Sequence, residues 1–195
     1  MLRGVPGEHG ERRDVTLLGV SVLGAPPAVA LAALDPVASF AARRGAAVLS
    51  REGSDITLLF GVENPDGHDT TEAARAAQRF AQLVTLPPGA RLGTALHPAR
   101  LIFDHDRLPQ AGPERDAALA QVLSLSHRGD PALLASEAAE PLLRERYELT
   151  RRDGALVVTG DRGAVRKRVV GRKDVFRQFG EILARAANKG LQVVG

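Results

Sequence analysis

The sequence predicts an α+β domain with a ferredoxin-like core, the split β-α-β arrangement, followed by a C-terminal β/α extension. Two observations predict this fold class. Hydrophobic residues make up 44% and charged residues 25% of the 195 residues, the composition of a globular protein with a buried core. Apolar runs and amphipathic segments follow one another in the order β-α-β-β-α-β, which favours this arrangement over a doubly wound parallel sheet.

The first strand and the first helix share an uncharged stretch of twenty residues, 15–34. Residues 15–23 are apolar and β-branched at several positions, the pattern of a buried central strand. Residues 28–44 repeat apolar side chains at helical spacing and end at Gly45. The stretch is long enough to span a bilayer, but two prolines lie in its middle, so we expect a strand, a turn and a helix. Residues 1–14 lack the apolar segment of a signal peptide, and we expect a cytoplasmic protein.

The remaining elements of the core follow from their turns and caps. Strands at 46–50 and 56–60 flank a short turn that contains Gly53, which predicts a hairpin. The next helix opens with the capping sequence Asp-Thr-Thr-Glu at Asp69 and runs to Val84. Beyond it we predict strands at 91–96 and 100–103, a helix at 116–126, a strand at 132–135, a helix at 136–144 and a strand at 147–150.

Residues 151–195 differ in charge and pattern from the part before them. They carry eleven basic and four acidic side chains, whereas residues 1–150 have a net charge of −4. The predicted elements are strand-like segments at 155–159 and 164–170 around a turn at 160–163, an amphipathic helix at 173–188 and a strand at 191–194. The basic cluster between Arg162 and Lys173 suits phosphates of nucleic acid or of a nucleotide, but we favour a solvated strand and linker.

Composition and short motifs argue against several kinds of site. The chain has no cysteine, which excludes disulfides, thiolate nucleophiles and Cys-ligated metals. Aromatic residues make up 4%, which argues against a platform that stacks bases. The densest group of possible metal ligands, Asp104-His105-Asp106, follows a strand, and we interpret it as a solvated loop. Ser136 and Glu137 are interpreted as a helix cap with a first-turn acid.

Several short motifs between residues 11 and 150 occur in the order in which one protein family has them. They are Glu-Arg-Arg-Asp-Val-Thr-Leu-Leu from Glu11, followed by Gly24; Phe60-Gly61; Arg91-Leu92-Gly93; and Leu133 to Leu143 with Ser136-Glu137. In these motifs the segment resembles class III adenylate/guanylate cyclase homology domains. The resemblance implies a ferredoxin-like sheet of the cyclase type and a surface through which two such domains pair.

The resemblance also assigns positions to a metal site. In the family, one Asp of the first strand and one of the hairpin turn hold two metal ions, which activate the ribose 3′-oxygen for attack on the α-phosphate. The corresponding positions here are Ser21 and Ser54, whose neutral hydroxyls cannot replace anionic ligands, so we expect no metal site. Asp55, next to Ser54, is a metal candidate, but a weak one. On a strand, a residue one position away from the expected ligand points to the opposite face of the sheet. The alternative is a turn-forming Asp.

The phosphate-binding and purine-selecting positions of the family are changed as well. Ala25-Pro26-Pro27 stands where the family presents backbone N–H groups of a helix N-terminus to the phosphates. Two prolines remove two of those donors, although prolines also start helices efficiently. The Lys that selects the purine in adenylate cyclases corresponds to Ser50.

The family's Asn and Arg that stabilise the transition state are also missing. They correspond to Ala118 and Val122, or to Leu119 and Leu123 if the alignment shifts by one residue. In the family, a site forms between two subunits, one of which gives the metal half and the other the Asn/Arg half. Both halves are changed here, so the resemblance implies a pseudoenzyme that could complement neither half of a partner.

The end of the chain carries a second resemblance. Val169-Val170-Gly171-Arg172, with the predicted helix and strand that follow, resembles the segment before the phosphate-binding loop of STAND/AAA-like signalling ATPases. The chain has no GxxxxGK[ST] motif, so no nucleotide hydrolysis is assigned to it. The predicted organisation is an N-terminal segment at 1–14, a cyclase-homology domain at 15–150, and a linker with the first elements of an ATPase-like module at 151–195.

The sequence therefore favours a catalytically inactive cyclase-homology domain, acting as a regulatory, dimerisation or protein-interaction module of a larger bacterial signalling protein. We expect no cofactor, no membrane contact and no nucleic-acid partner. The expected partners are another protein or a second copy of the chain, together with the downstream ATPase module. Two alternatives stay open: a cyclase with an unconventional active site that makes cyclic AMP or GMP, and nucleic-acid contact through the basic tail.

Overall fold

The computed structural model describes residues 10–62, 67–104 and 108–162, which belong to a unit that ends at Arg162. Within these residues one sheet carries helices on both faces. Its strands are β1 (Glu11–Leu23), β2 (Ala47–Glu52), β3 (Asp55–Phe60), β4 (Arg91–Phe103), β5 (Leu133–Ala135), β6 (Tyr147–Arg152) and β7 (Ala155–Asp161). The helices are α1 (Pro27–Ala42), α2 (Asp69–Leu83), α3 (Pro113–Ser126) and α4 (Glu140–Leu143), with a 3₁₀ turn at Glu137–Ala139.

The sheet has the strand order β2-β3-β1-β4-β5-β7-β6. β1 lies between β3 and β4 and is antiparallel to both, while α1 and α2 connect the strands of this core. This is the ferredoxin-like arrangement that the sequence predicts, and the α+β fold class is confirmed. β5 joins β4 in parallel through only two residue pairs, and the antiparallel hairpin of β6 and β7 extends the sheet beyond it.

β1 is the centre of the core because it is buried on both faces. Every residue from Val15 to Val22 is buried, as the predicted central strand requires. On one face Leu18 and Val20 pack with α1 and α2, and on the other Leu17 packs with α3. The uncharged stretch 15–34 thus forms part of a strand and part of a helix, as predicted. No helix among the described residues is long and apolar enough to cross a membrane.

Two glycines allow α3 to lie directly on the backbone of the sheet. A Cβ atom at Gly19 of β1 would come within 3.2 Å of Val122, and one at Gly93 of β4 would overlap the carbonyl oxygen of Ser126. Larger residues at these positions would push the helix away from the sheet. The C-terminal end of α3 is therefore fixed over the end of β1 that contains Ser21.

One predicted break in the sheet is wrong. Strands at 91–96 and 100–103 are in fact a single strand, β4, whose thirteen residues all pair with β1. Pro98 lies two residues beyond Leu96, where the pairing with β5 ends, so its missing N–H costs no bond on that side. β1 likewise begins at Glu11, four residues earlier than predicted, because its first residues pair with the end of β4.

The C-terminal hairpin also differs from the prediction. Gly160 and Asp161 lie in β7, not in a turn, and the hairpin turn is at Asp153 and Gly154, which both have positive φ. β7 lies between β5 and β6 in the sheet, so the sequence-based boundary at residue 150 falls inside this hairpin. The predicted elements at 164–170, 173–188 and 191–194 lie outside the described residues, as do His105 and Asp106.

Candidate functional site

The structure brings three of the sequence-predicted positions together at one end of β1. In the register of the sheet, Ser21 lies opposite Asp55 of β3 on one side and Gly93 of β4 on the other. Ser54 is in the β2–β3 turn directly before Asp55, and its carbonyl oxygen accepts a 2.9 Å hydrogen bond from the N–H of Val22. These residues occupy the same end of the sheet as the start of α1.

Ser21 uses its hydroxyl in a contact inside the fold. The side chain is fully buried, and its Oγ lies 2.7 Å from Oγ of Ser126 at the end of α3. Ser126 also donates to the carbonyl oxygen of Leu123 at 3.1 Å, as serines near helix ends commonly do. Since a hydroxyl has one proton, Ser21 must be the donor in the bond between the two serines. The bond fixes the end of α3 to the central strand.

Asp55 makes a second contact with the same end of the helix. Its Oδ1 lies 2.9 Å from Nε2 of His127, which follows α3 directly, and its side chain is 23% exposed. Thr57, opposite Gly19 in the sheet, is fully buried, and its hydroxyl has no hydrogen-bond partner among the described residues. The polar groups at this site therefore consist of hydroxyls and one carboxylate that binds a histidine.

This set of donors does not fit a site for two divalent cations. Magnesium and calcium sites use several carboxylate or carbonyl oxygens that converge on one point. No group of three or more His, Asp or Glu side chains in the described part of the chain is placed to hold a metal ion. Asp55 is the sole carboxylate among Ser21, Ser54 and Asp55, and it already contacts His127. We therefore derive no chemistry through a metal at this site.

The turn after β1 has the geometry that its two prolines dictate. Gly24 has a positive φ of 76°, Pro26 is the N-cap residue of α1, and Pro27 is its first residue. No side chain caps this helix, and the carbonyl oxygen of Pro26 accepts the N–H of Ala30 at 2.9 Å. Two of the backbone N–H groups that a helix N-terminus ordinarily offers to an anion are therefore missing.

The remaining sequence-predicted positions lie away from this cluster. Ser50 is a partly buried residue of the edge strand β2, next to an irregularity in its pairing with β3. Ala118 and Val122 are buried in the apolar cluster between α3 and the sheet. Leu119 and Leu123, the alternative positions, pack against the same cluster. In either alignment these positions of α3 carry apolar side chains that pack on the sheet.

Solved structures with a similar fold are guanylyl cyclase domains. The non-canonical dimeric guanylyl cyclase domain of the RhoGC fusion protein from the aquatic fungus Blastocladiella emersonii is 13% identical, with a TM-score of 0.56 over 79% of this chain and 99% of that chain. The guanylate cyclase domain of RhGC from Catenaria anguillulae, solved with GTP, is 13% identical, with a TM-score of 0.54 over 77% of this chain and 99% of that one. The described chain has the fold of a nucleotidyl cyclase domain.

A third cyclase structure agrees with these two. It is the catalytic core of a rhodopsin-guanylyl cyclase with converted specificity in complex with ATPαS, 12% identical, with a TM-score of 0.53 over 78% of this chain and 99% of that one. No protein-family model and no curated protein matches the sequence. At these identities the likeness concerns the cyclase fold, which the ordered motifs of the sequence also imply.

The sequence did not indicate which residues contact Ser21 and Asp55. Ser126 contacts Ser21 across 105 positions of sequence, and His127 contacts Asp55 across 72. No local motif connects residues so far apart. Ser136 is the N-cap residue of the 3₁₀ turn, as expected, but its side chain makes no cap bond. Its Oγ lies 2.9 Å from Nδ1 of His97, and burial lowers the pKa of that histidine.

Proposed function

We propose that this chain carries a cyclase-homology domain without nucleotidyl cyclase activity, which acts as a regulatory, dimerisation or protein-interaction module of a larger bacterial signalling protein. The observation that carries the proposal is the environment of Ser21. Its hydroxyl stands where the sequence resemblance puts a metal-binding Asp, yet it is fully buried and bonded to Ser126. The polar group at this position contributes to folding.

The metal half of the site supports the proposal through its charge. Two magnesium ions carry four positive charges, and carboxylates are the ligands that balance them. The two expected ligand positions are serines, and the neighbouring Asp55 contacts His127 at 2.9 Å. A metal at Asp55 would compete with this contact and would have one anionic ligand from these three positions. Such a site is too weak to activate a ribose hydroxyl.

The other parts of the site support the same conclusion independently. The phosphate turn lacks the N–H groups of Pro26 and Pro27, and α1 begins there without a side-chain cap. At the positions expected to stabilise the transition state, Ala118 and Val122 are buried apolar side chains. Restoring any one part would leave the others missing, because they lie on different elements of the fold.

Without catalysis, the domain would act through the contacts that its surface makes with other proteins. One of the similar solved structures is described as a non-canonical dimeric guanylyl cyclase domain, and a double mutant of the same domain as monomeric. A second copy of this chain is therefore the first partner to test. The domain would then transmit a signal through its contacts, to a partner or to a downstream ATPase-like module. Residues 163–195, where the sequence suggests the start of that module, lie outside the described structure.

A cyclase assay tests the proposal against its enzymatic alternative. The full chain is incubated with ATP or GTP and Mn²⁺, and cyclic AMP and cyclic GMP are measured beside an active cyclase domain. We expect no product above that of the heat-denatured chain. Sedimentation of the same sample then tests self-association, for which we expect a dimer. Enzymatic formation of either cyclic nucleotide would overturn the proposal.

A further inference from the structure

We propose that a polar cavity between the end of α1 and the outer face of α2 binds the phosphate group of a small soluble molecule as a dianion. The cavity lies on the opposite face of the sheet from α3 and its contacts with Ser21 and Asp55. Such a ligand would be an effector of the regulatory module, and its binding does not depend on whether the domain has lost catalysis.

The side chains that line this cavity are all hydrogen-bond donors. Its volume is about 370 Å³, and its lining consists of Arg44, just beyond the end of α1, and of Arg75, Gln78, Arg79 and Gln82 on α2. Residues three or four positions apart lie on the same face of a helix, so α2 presents its four side chains next to one another. Among the described residues the lining includes guanidinium and amide groups and no carboxylate.

The charge of the site favours a dianion. Glu72, one turn before Arg75 on α2, forms ion pairs with Arg75 and, at 3.5 Å, with Arg44. Arg79 forms no ion pair with a described residue, and its Nη1 donates to Oε1 of Gln82 at 2.8 Å. Three guanidinium groups and one carboxylate therefore leave two positive charges unbalanced. A bound group with two negative charges would neutralise both of them.

Two of the arginines are held in place by the fold itself. The guanidinium of Arg44 lies over the ring of Phe40, 4.7 Å from its centroid. Phe40 in turn meets the buried ring of Phe80 edge-to-face, with the ring centroids 5.9 Å apart. Arg75 is held by its ion pair with Glu72. Long side chains lose conformational freedom when they bind a ligand, and these two have already lost part of it, which favours binding.

The chemistry of the donors selects phosphate over a carboxylate. A guanidinium presents its N–H groups in a planar fork, which matches two oxygens of one phosphate. Gln82 accepts the bond from Arg79 with its carbonyl oxygen, so the N–H groups of its amide remain available to a ligand. A phosphate monoester offers three strongly accepting oxygens and close to two negative charges at neutral pH. A carboxylate has two oxygens and one charge.

The size and the lining of the cavity favour a small molecule. Pockets that hold small ligands have volumes of about 300–1,000 Å³, and this cavity lies near the lower end of that range. The lining contains no aromatic side chain on which a base could stack, and the nearby ring of Phe40 is covered by Arg44. The phosphate group, free or as an ester, is therefore the part of the ligand that this site recognises.

Titration of the ¹⁵N-labelled full chain with inorganic phosphate, AMP or acetate, followed by NMR, tests the site. We expect the side-chain amide signals of Gln78 and Gln82 to shift with phosphate and with AMP, and acetate to bind at least tenfold more weakly. Equal affinities for phosphate and AMP would identify the phosphate group alone as the ligand, and tighter binding of AMP would identify a nucleotide. The affinity for AMP should fall below about pH 6, where the ester takes up its second proton.

Three variants locate the binding. Arg44→Gln and Arg79→Gln each remove one guanidinium from the cavity and should reduce the affinity for AMP at least tenfold. Arg12→Gln is the matched control, because Arg12 pairs with Glu114 of α3 on the other face of the sheet, and it should change the affinity less than twofold. Arg79 is exposed, so we expect its replacement to leave the circular dichroism spectrum unchanged.

The proposal is overturned if neither phosphate nor AMP shifts the two amide signals, or if acetate binds as tightly as phosphate. It is also overturned if Arg79→Gln leaves the affinity for AMP unchanged, since AMP would then bind elsewhere. Cyclase activity in the separate assay would overturn the loss of catalysis and leave this site unaffected.

Discussion

Removing either partner of the Ser21–Ser126 hydrogen bond should destabilise the domain by different amounts. Ser126 donates its proton to the carbonyl oxygen of Leu123, and Ser21 donates the 2.7 Å bond between the hydroxyls. Ser126→Ala therefore removes the acceptor of a fully buried O–H group. Ser21→Ala removes one bond to Ser126, whose proton still has an acceptor.

The size of the difference follows from the cost of an unpaired buried donor. Leaving such a group unsatisfied costs about 1–3 kcal/mol, which we expect for Ser126→Ala, whereas losing one ordinary bond costs about 0.5–1.5 kcal/mol, which we expect for Ser21→Ala. The double variant leaves neither hydroxyl unpaired, so its cost should be lower than the sum of the single costs by roughly 1 kcal/mol. Ser124→Ala, on the exposed side of the same helix, is the matched control, with an effect below about 0.5 kcal/mol.

Urea unfolding followed by far-UV circular dichroism measures these free energies, since the chain contains no tryptophan. The expected order of destabilisation is Ser126→Ala, then Ser21→Ala, then Ser124→Ala. The reasoning is refuted if Ser21→Ala costs as much as Ser126→Ala, or if both leave stability unchanged. Equal costs would mean that Ser21 is not the donor in this bond, and unchanged stability would mean that the bond does not contribute to the packing of α3.

Three further changes test other parts of the structure. Gly93→Ala should lower the free energy of unfolding by about 3 kcal/mol because its Cβ would overlap the backbone of α3. Gly112→Ala, where nothing lies within 4 Å of a Cβ but the residue is the N-cap of α3, should cost less, about 0.5–1 kcal/mol, in the same urea experiment. Burial raises the pKa of Tyr147, the single tyrosine of the chain, so its absorbance titration should have a midpoint above pH 10 in the folded chain and near 10 in urea. Because the unfolded chain loses this proton at lower pH than the folded chain, the free energy of unfolding should fall as the pH rises above 10. Tyr147→Phe should remove that loss and leave the melting temperature at neutral pH unchanged or higher, because its hydroxyl has no described partner. Asp55→Asn should lower stability by less than about 1 kcal/mol in calorimetry, since its partner His127 is half exposed.

Local patterns were enough to predict the order and type of the core elements. The apolar run at 15–23, the proline break and the sequence Asp-Thr-Thr-Glu at Asp69 each act over a few residues, and a strand and two helices form there. β1 nevertheless starts four residues earlier than predicted, and α2 has His68 as its N-cap residue with no side-chain cap bond. The predicted gap between residues 96 and 100 contains Pro98, whose effect on a strand depends on which side of that strand has a partner. That partner, β5, lies almost forty residues further along the chain.

The candidate site was predicted only as far as the family resemblance assigned positions. Ser21, Ser54 and Asp55 do meet at one end of β1, because the strand register brings them there. The contacts of Ser126 and His127 depend on how closely α3 approaches the sheet, which Gly19 and Gly93 set through their lack of a side chain. A glycine in a strand has several possible causes, so the sequence alone did not indicate this approach.

Cyclic nucleotide formation, compared between the wild-type chain and two variants, tests the proposed loss of catalysis most directly. Wild type, Ser21→Ala and Asp55→Ala are incubated with Mn²⁺ and either ATP or GTP, and the products are separated by chromatography. A pseudoenzyme gives the same background in all three samples. Product formed by wild type and lost in Ser21→Ala or Asp55→Ala would show that these residues act in catalysis, and would contradict the account.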